Sequence, residues 1–169
     1  MQLPGDPRIV TPRLLLRLVR GDDLPALLRA NGDPEVTRYL PYETWAGPDD
    51  AVAWYARMEG RRERSEALQF VLERTADRVV IGSALLFNFD EDRASGDVGY
   101  LLAREYWGHG YMAEAVEALV AFARDTLRLR ELKAVIETPN TASAKLVMRL
   151  GFVPVATADG LDTWQLTIG

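Results

Sequence analysis

Apolar positions along this chain recur with two periods, and each change of period marks a new element. The run Arg13-Leu14-Leu15-Leu16-Arg17-Leu18-Val19 reads as a first strand. Leu68 to Glu73 and Val79 to Phe89 read as two more, joined through Ala76-Asp77. After the polar turn Asp90-Glu91-Asp92-Arg93 comes a strand around Asp97 to Leu102. Three strands joined by short polar turns make an antiparallel meander. Met112, Val116, Leu119, Val120, Ala123 and Leu127 then recur at spacings of three and four, the mark of an amphipathic helix. Leu132 to Glu137 returns to a strand. Asn140 can cap a helix that Gly151 ends, with Phe152 placed for the contact beyond a C-terminal glycine. Phe152 to Thr157 and Asp162 to Thr167 form a last pair of strands, turned at Asp159-Gly160.

The first third is more helical. Asp22 or Asp23 can cap a helix through Ala30, with Pro25 in its first turn, and Asp33-Pro34 starts a short piece ending before Pro41. Tyr39, Tyr42 and Trp45 crowd the next loop, either as ordinary packing or as the lining of a substrate mouth. Asp49 or Asp50 can begin a helix carrying Val52, Trp54, Tyr55 and Met58, whose arginines (Arg57, Arg61, Arg62, Arg64) read as a solvated face and helix end. Residues 1–10, with Pro4, Gly5 and Pro7, read as an irregular lead-in. The expected fold is α+β, one domain over residues 1–169 with a mixed, mostly antiparallel central sheet flanked by helices.

Between the strand ending at Leu102 and the helix beginning near Met112 lies Trp107-Gly108-His109-Gly110-Tyr111-Met112-Ala113. Gly108 and Gly110 allow positive φ and close approach of a ligand to the backbone. The unpaired N–H groups and positive end of the following helix suit a phosphate or pyrophosphate. A plain glycine-rich connection is the other reading. No Gly-Lys-Ser/Thr follows, so the turn is not a P-loop, and its spacing is not the dinucleotide fingerprint.

Composition narrows the chemistry. The 169 residues carry a net charge of −5, which argues against a general nucleic-acid or membrane-surface binder and fits a cationic substrate better. With no cysteine there is no disulfide, no thiolate nucleophile and no cysteine-ligated zinc, and a cytoplasmic setting is expected. The single histidine, His109, leaves little scope for a catalytic triad or a multi-histidine metal site. The residues up to Pro12 contain no long apolar run, so neither a signal peptide nor a membrane span is expected there.

The strand, glycine turn, helix and strand, followed by Asn140-Thr141-Ala142-Ser143 and Leu150-Gly151-Phe152, resemble the GNAT acetyltransferase superfamily. Thr11-Pro12-Arg13-Leu14-Leu15-Leu16-Arg17 and Asp33-Pro34-Glu35-Val36 resemble more narrowly the branch that acetylates N-termini of ribosomal proteins, the RimJ/RimL type. The resemblance implies acetyl-CoA as cosubstrate and no metal. Its pyrophosphate would lie on the glycine turn, at Trp107, Gly108, His109, Gly110, Tyr111, Met112 and Ala113. The pantetheine arm would pair with backbone at Leu101, Leu102 and Ala103. Asn140 and Ser143 match positions that contact the cofactor or assist the leaving thiolate. Trp107 departs from the superfamily's usual Gln or Arg, Met112 from its frequent Gly or Ala, and Val147 stands where many members carry a tyrosine proton donor. The implied partner is an amine acceptor, a protein N-terminus or a small molecule, met by a monomer or homodimer. A non-catalytic CoA-binding protein of the same fold is the alternative.

Direct acetyl transfer needs an unprotonated amine, a carbonyl held near it and help for the leaving sulfur. By the resemblance, Asp97 aligns approximately with a strand glutamate that serves as general base in some superfamily members; being one methylene shorter, it would act through water. Alternatively it supports a turn at Ser95-Gly96. Ser143 is the candidate donor to the thiolate, or else bonds its own helical turn. Asn140 can cap and contact ligand at once, and the His109 side chain is expected to face solvent or phosphate. An α-amine of pKa about 7.8 is roughly one-quarter free at pH 7.4, a lysine of about 10.4 only about one-thousandth. A site with one weak base therefore suits an α-amine.

Overall fold

The computed structural model describes residues 2–169. The first apolar run forms strand β2 (Leu14–Leu18), and the lead-in before it, expected to be irregular, contains a short strand β1 (Arg8–Val10) paired antiparallel with β2. The remaining strands are β3 (Ala67–Arg74), β4 (Val79–Asp90), β5 (Ser95–Leu102), β6 (Glu131–Glu137), β7 (Val153–Ala158) and β8 (Leu161–Thr167). They form one sheet in the order β1-β2-β3-β4-β5-β6-β8-β7, antiparallel throughout except between β5 and β6. That parallel step is where the chain must cross over, and the helix α4 (Tyr111–Asp125) makes the crossing.

Alternate residues of a strand face opposite sides, so the middle of the sheet feeds two cores. Leu14, Leu16, Leu68, Phe70, Leu72, Leu86 and Val98 meet Met112, Ala115, Val116 and Leu119 of α4, with Val147 of α5 (Thr141–Arg149). On the opposite face Val19 and Val71 meet Leu27 of α1 (Leu24–Asn31) and Ala51 and Trp54 of α3 (Pro48–Glu63). Between those helices lies the short α2 (Pro34–Thr37), capped by Asp33.

Local punctuation follows the chemistry of the residues. Asn140 caps α5 by accepting from the Ser143 amide at 3.2 Å. Gly151, at φ +92°, ends that helix, and Phe152 returns its N–H to Val147 and is buried. Asp159 and Gly160, both at positive φ, turn β7 into β8. β7 forms one edge of the sheet; it contains Pro154 and a bulge between Pro154 and Ala156.

Arg17 is the polar exception among these buried strands. Its guanidinium forms a two-pronged bond with Asp23 at 2.9 and 2.8 Å and reaches Glu73 at 2.9 Å. The bond to Asp23, opposed by burial and reinforced by Glu73, pushes the Arg17 pKa up. Asp23 lies in a single 3-10 turn before α1 and accepts from the Arg20 amide, so it fastens that turn to β2 rather than capping a long helix. Arg17→Ala strands Asp23 in the interior, whereas Glu73 keeps Arg78 at 3.4 Å. Losing one partner of a buried pair costs about 3–5 kcal/mol, so a urea titration should show a loss of about 3 kcal/mol. A loss below about 1 kcal/mol would mean that water reaches the trio.

Candidate functional site

The parallel pairing of β5 with β6 lasts three residues, Ser95 to Asp97 against Glu131 to Lys133. Beyond it β5 stays bonded to β4 as far as Leu102, while β6 goes on with β8 to Glu137. The two strands therefore part, and β5 from Val98 onward shows β6 no ladder. Backbone groups in such a gap need another partner. One is already supplied, since the Trp107 indole N–H donates to the Leu102 carbonyl at 2.8 Å. Ala103 turns its N–H the other way, to Ile81 on β4 at 2.9 Å.

At the end of β5 the chain makes a 3-10 turn over Arg104–Tyr106 and enters the glycine turn. Gly108 and Gly110 sit at φ +76° and +78°, and a Cβ on Gly108 would meet nothing within 4 Å. Gly110 is the cap of α4 and no side chain caps that helix, so its first amides keep their bonding capacity for a ligand. Arg13 braces this turn from β2's side. Its Nη1 donates to the His109 carbonyl at 2.8 Å, and its guanidinium carbon lies 4.3 Å from the Tyr111 ring centroid. Glu114, in the first turn of α4, accepts from the Thr11 hydroxyl at 2.6 Å, the Arg13 amide at 2.8 Å and Arg13 Nε at 2.7 Å. Burial pushes the Glu114 carboxyl up, but these three donors together hold it below its ordinary value. His109 is exposed, with Nδ1 3.3 Å from the Tyr106 carbonyl.

The open stretch of β5 also meets the start of α5. The Tyr100 hydroxyl lies 2.6 Å from Ser143 Oγ. Burial raises the Tyr100 pKa, partly offset by Ser143, so the phenol stays protonated. A phenol is the better donor of the two, which leaves the serine hydrogen free to point elsewhere. Val147 is fully buried in the core below. Asp97 lies three residues back along β5, about 10 Å by strand geometry. There its Oδ2 accepts from Asn88 at 2.8 Å. Ser95 and Gly96 pair within β5, so the turn that Asp97 was expected to support lies earlier, at Glu91 to Ala94. Asp97 and Ser143 thus stand at opposite ends of the opening. Nothing local in the sequence marks Tyr100 as Ser143's partner, 43 residues away.

On the α1/α3 face a cavity of about 250 Å³ reaches Gly99, Tyr100 and Leu101. Trp54, Met58, Leu85 and Phe87 make it largely apolar, and its charged lining consists of Arg57 and Arg61. Of the three crowded aromatics Tyr42 lines it, with its hydroxyl 2.6 Å from Asn31 Oδ1, and burial raises that phenol's pKa. Trp45 is a core residue, its ring 5.4 Å from that of Trp54, and Tyr39 stacks with Arg38. A larger hollow of about 360 Å³ beside Ala103 is walled by the Asp33–Arg104 ion pair and touches neither Ser143 nor the glycines.

The family model of the acetyltransferase (GNAT) domain matches residues 13–153. The uncharacterized N-acetyltransferase YoaA of Bacillus subtilis (strain 168) is 25% identical over 146 residues, covering 86% of this chain and 82% of YoaA. Among solved structures, the spermidine N-acetyltransferase of Vibrio cholerae in complex with CoA and spermine has a TM-score of 0.81 at 17% identity. That match covers 94% of this chain and 97% of that one. RimL, the ribosomal L7/L12 alpha-N-protein acetyltransferase, in complex with CoA, has a TM-score of 0.83 at 17% identity, over 96% and 98%. Both structural likenesses concern the fold.

Two substitutions test the turn. Gly110→Val should weaken CoA binding at least tenfold, about 1.4 kcal/mol, in a protein that still folds. Gly160→Val imposes the same substitution at φ +77° in the distant hairpin, so it should cost stability without touching CoA affinity. Calorimetry in which the two behave alike would mean that only backbone strain is being read. Glu114→Gln tests the brace. A carboxyl held low in the folded state stabilises above its unfolded pKa, and that contribution disappears as pH falls through the folded value. The variant should therefore melt below wild type at neutral pH and converge with it in acid; a gap that persists in acid would mean the carboxylate's charge is immaterial.

Proposed function

The chain belongs to the GNAT acetyltransferase family, and on that premise we propose that it carries an acetyl group from acetyl-CoA directly to the α-amine of a protein N-terminus, as in the RimJ/RimL branch. The observation that carries this reading is the open stretch of β5, with an uncapped helix at one end and the Tyr100–Ser143 pair alongside. Those features fit the cosubstrate. The amides of Gly108 to Ala113 suit its pyrophosphate, with Trp107 flanking them, and backbone at Leu101, Leu102 and Ala103 borders the gap its extended arm needs. By strand alternation the Ala103 bond to Ile81 commits Leu101 to Ser83 of β4 as well, so the groups left facing the gap are those of Leu102, whose carbonyl Trp107 already takes, and of Tyr100 and Val98.

Acetyl-CoA, when bound, supplies an acyl group already activated as a thioester. The residues of the chain then divide the work. Asn140 fixes the first turn of α5 and with it Ser143. Ser143 donates a hydrogen bond toward the departing sulfur. Tyr100 donates to Ser143 and sets the direction of that hydroxyl, a positioning role for a phenol in a chain with valine at position 147. Asp97 removes the amine proton through water, with Asn88 holding one of its oxygens. As the nitrogen–carbon bond forms, the carbon–sulfur bond breaks, and solvent protonates the sulfur, since a free thiol has a pKa of about 8.5. A polyamine acceptor fits less well, because no carboxylate lines the cavity.

CoA release during incubation of acetyl-CoA with N-terminal peptides tests turnover, and its absence with every amine tried would leave a CoA-binding protein. For the roles, Asp97→Asn should slow the reaction most at low pH, where the amine is protonated. Ser143→Ala should slow it evenly, by roughly 10- to 100-fold. Tyr100→Phe should cost about tenfold in kcat with little change in KM, and nothing further in the Ser143→Ala background. Parallel pH profiles for Asp97→Asn and wild type would remove Asp97 from the chemistry, and additive losses would uncouple Tyr100 from Ser143.

A further inference from the structure

We infer that the acceptor's amine-bearing carbon carries a side arm tipped with a hydroxyl or amide donor, which crosses Gly99 to reach Gln69 and Ser83. The inference rests on the acceptor reading above and names what the cavity selects. Gln69 and Ser83 are only 7% and 4% exposed, and both line the cavity. The Gln69 amide nitrogen donates to the carbonyls of Ala84 at 3.1 Å and Phe70 at 3.3 Å, so its oxygen is the end left over. Among the described residues nothing donates to that oxygen, and the Ser83 hydroxyl has no partner. Water serves such groups until an occupant displaces it, and the occupant must then offer a donor of its own. The cavity's charged lining is Arg57 and Arg61, which disfavours an ammonium in that role and leaves a hydroxyl or an amide.

Strand register shows the way in. Gly99, Leu85 and Gln69 form one row across β5, β4 and β3, on the face that α1 and α3 cover. Tyr100 points to the other face, toward Ser143, whereas Asp97, two residues from Gly99, lies on this one. An arm over Gly99 therefore keeps the amine on the side of its base. Gly99 stands in the row at the open edge of β5, and nothing in the fold requires a glycine there. Its φ is not positive, and a Cβ would meet only the Phe87 ring, at an ordinary 3.7 Å. Gly96, by contrast, is held by packing, since a Cβ there would lie 3.1 Å from Phe89 and 3.2 Å from Leu129. A glycine inside a strand weakens it and marks the close approach of another group. At Gly99 that group is the arm. Two strand spacings, about 10 Å, separate Gly99 from Gln69, and a hydrogen bond takes about 3 Å of that. An aromatic ring with a para hydroxyl spans the remainder, which a serine side chain does not. Trp54, Met58 and Phe87 offer the ring apolar surface on the way.

The test uses C-terminally amidated tetrapeptides X-Ala-Ala-Ala with X as Tyr or Phe, beside tyramine and phenethylamine, with acetyl-CoA saturating. The Tyr peptide should exceed the Phe peptide at least tenfold in kcat/KM, because Phe would shut both oxygens in unpaired. Ser83→Ala combined with Gln69→Met should bring that ratio to within twofold of one. Gly99→Ala should keep or raise the melting temperature and keep CoA affinity, yet lower kcat/KM on the Tyr peptide at least tenfold. Equal rates on the two peptides, or a Gly99→Ala protein that loses CoA affinity instead, would overturn this inference and leave N-terminal acetylation standing. Acetylation of tyramine over phenethylamine with neither peptide used would keep the arm and overturn the N-terminal acceptor. Acetylation of spermine with none of these four would overturn both.

Discussion

A peptide N–H or C=O shut away from water must find a partner, and β5 loses its own halfway along. Up to Asp97 it is an interior strand with a neighbour on each side; after Asp97 it is bonded on one side only. The surroundings of the gap follow from that one interruption. Trp107 folds back to serve Leu102, and the turn that carries it delivers an uncapped helix to the same opening. Ser143, fixed by Asn140, reaches Tyr100 across it. An extended polar chain that completed the ladder would lie where a glycine turn at an uncapped helix, a hydroxyl pair and the mouth of an apolar cavity converge.

Much of this was legible residue by residue. The three-and-four spacing from Met112 to Leu127 became α4, Asn140 caps α5, Gly151 ends it, and Asp159-Gly160 turns the last hairpin. Each of these signals is local, since periodicity, capping and positive φ depend on a residue and its near neighbours. What escaped depends on partners distant in sequence. Arg8 to Val10 is a strand only because β2 lies beside it, and β5 starts at Ser95 because Glu131 is there to pair with it.

The same limit governs the chemistry. Thr11 and Arg13 stood out as a motif, yet their work is done on Glu114, about a hundred residues away, and no spacing rule connects them. Val147 showed that a phenol was missing at one position; only the fold brings Tyr100 to the adjoining turn. Arginines that look interchangeable along α3 divide into surface pairs and cavity lining according to which side of the helix they occupy. Whole-chain charge averages over that division and so does not report the residues that line one small cavity.

The two margins of the sheet bear on aggregation. An exposed edge strand is a template on which a foreign chain can extend a ladder. Here one margin is β1, only three residues long. The other is β7, where Pro154 removes a donor and the bulge after it breaks the register. Neither margin offers the long, regular row of bonding groups that recruitment requires. The protein thus keeps its one long unfilled strand edge in its interior, while its outer edges resist growth into larger β-assemblies.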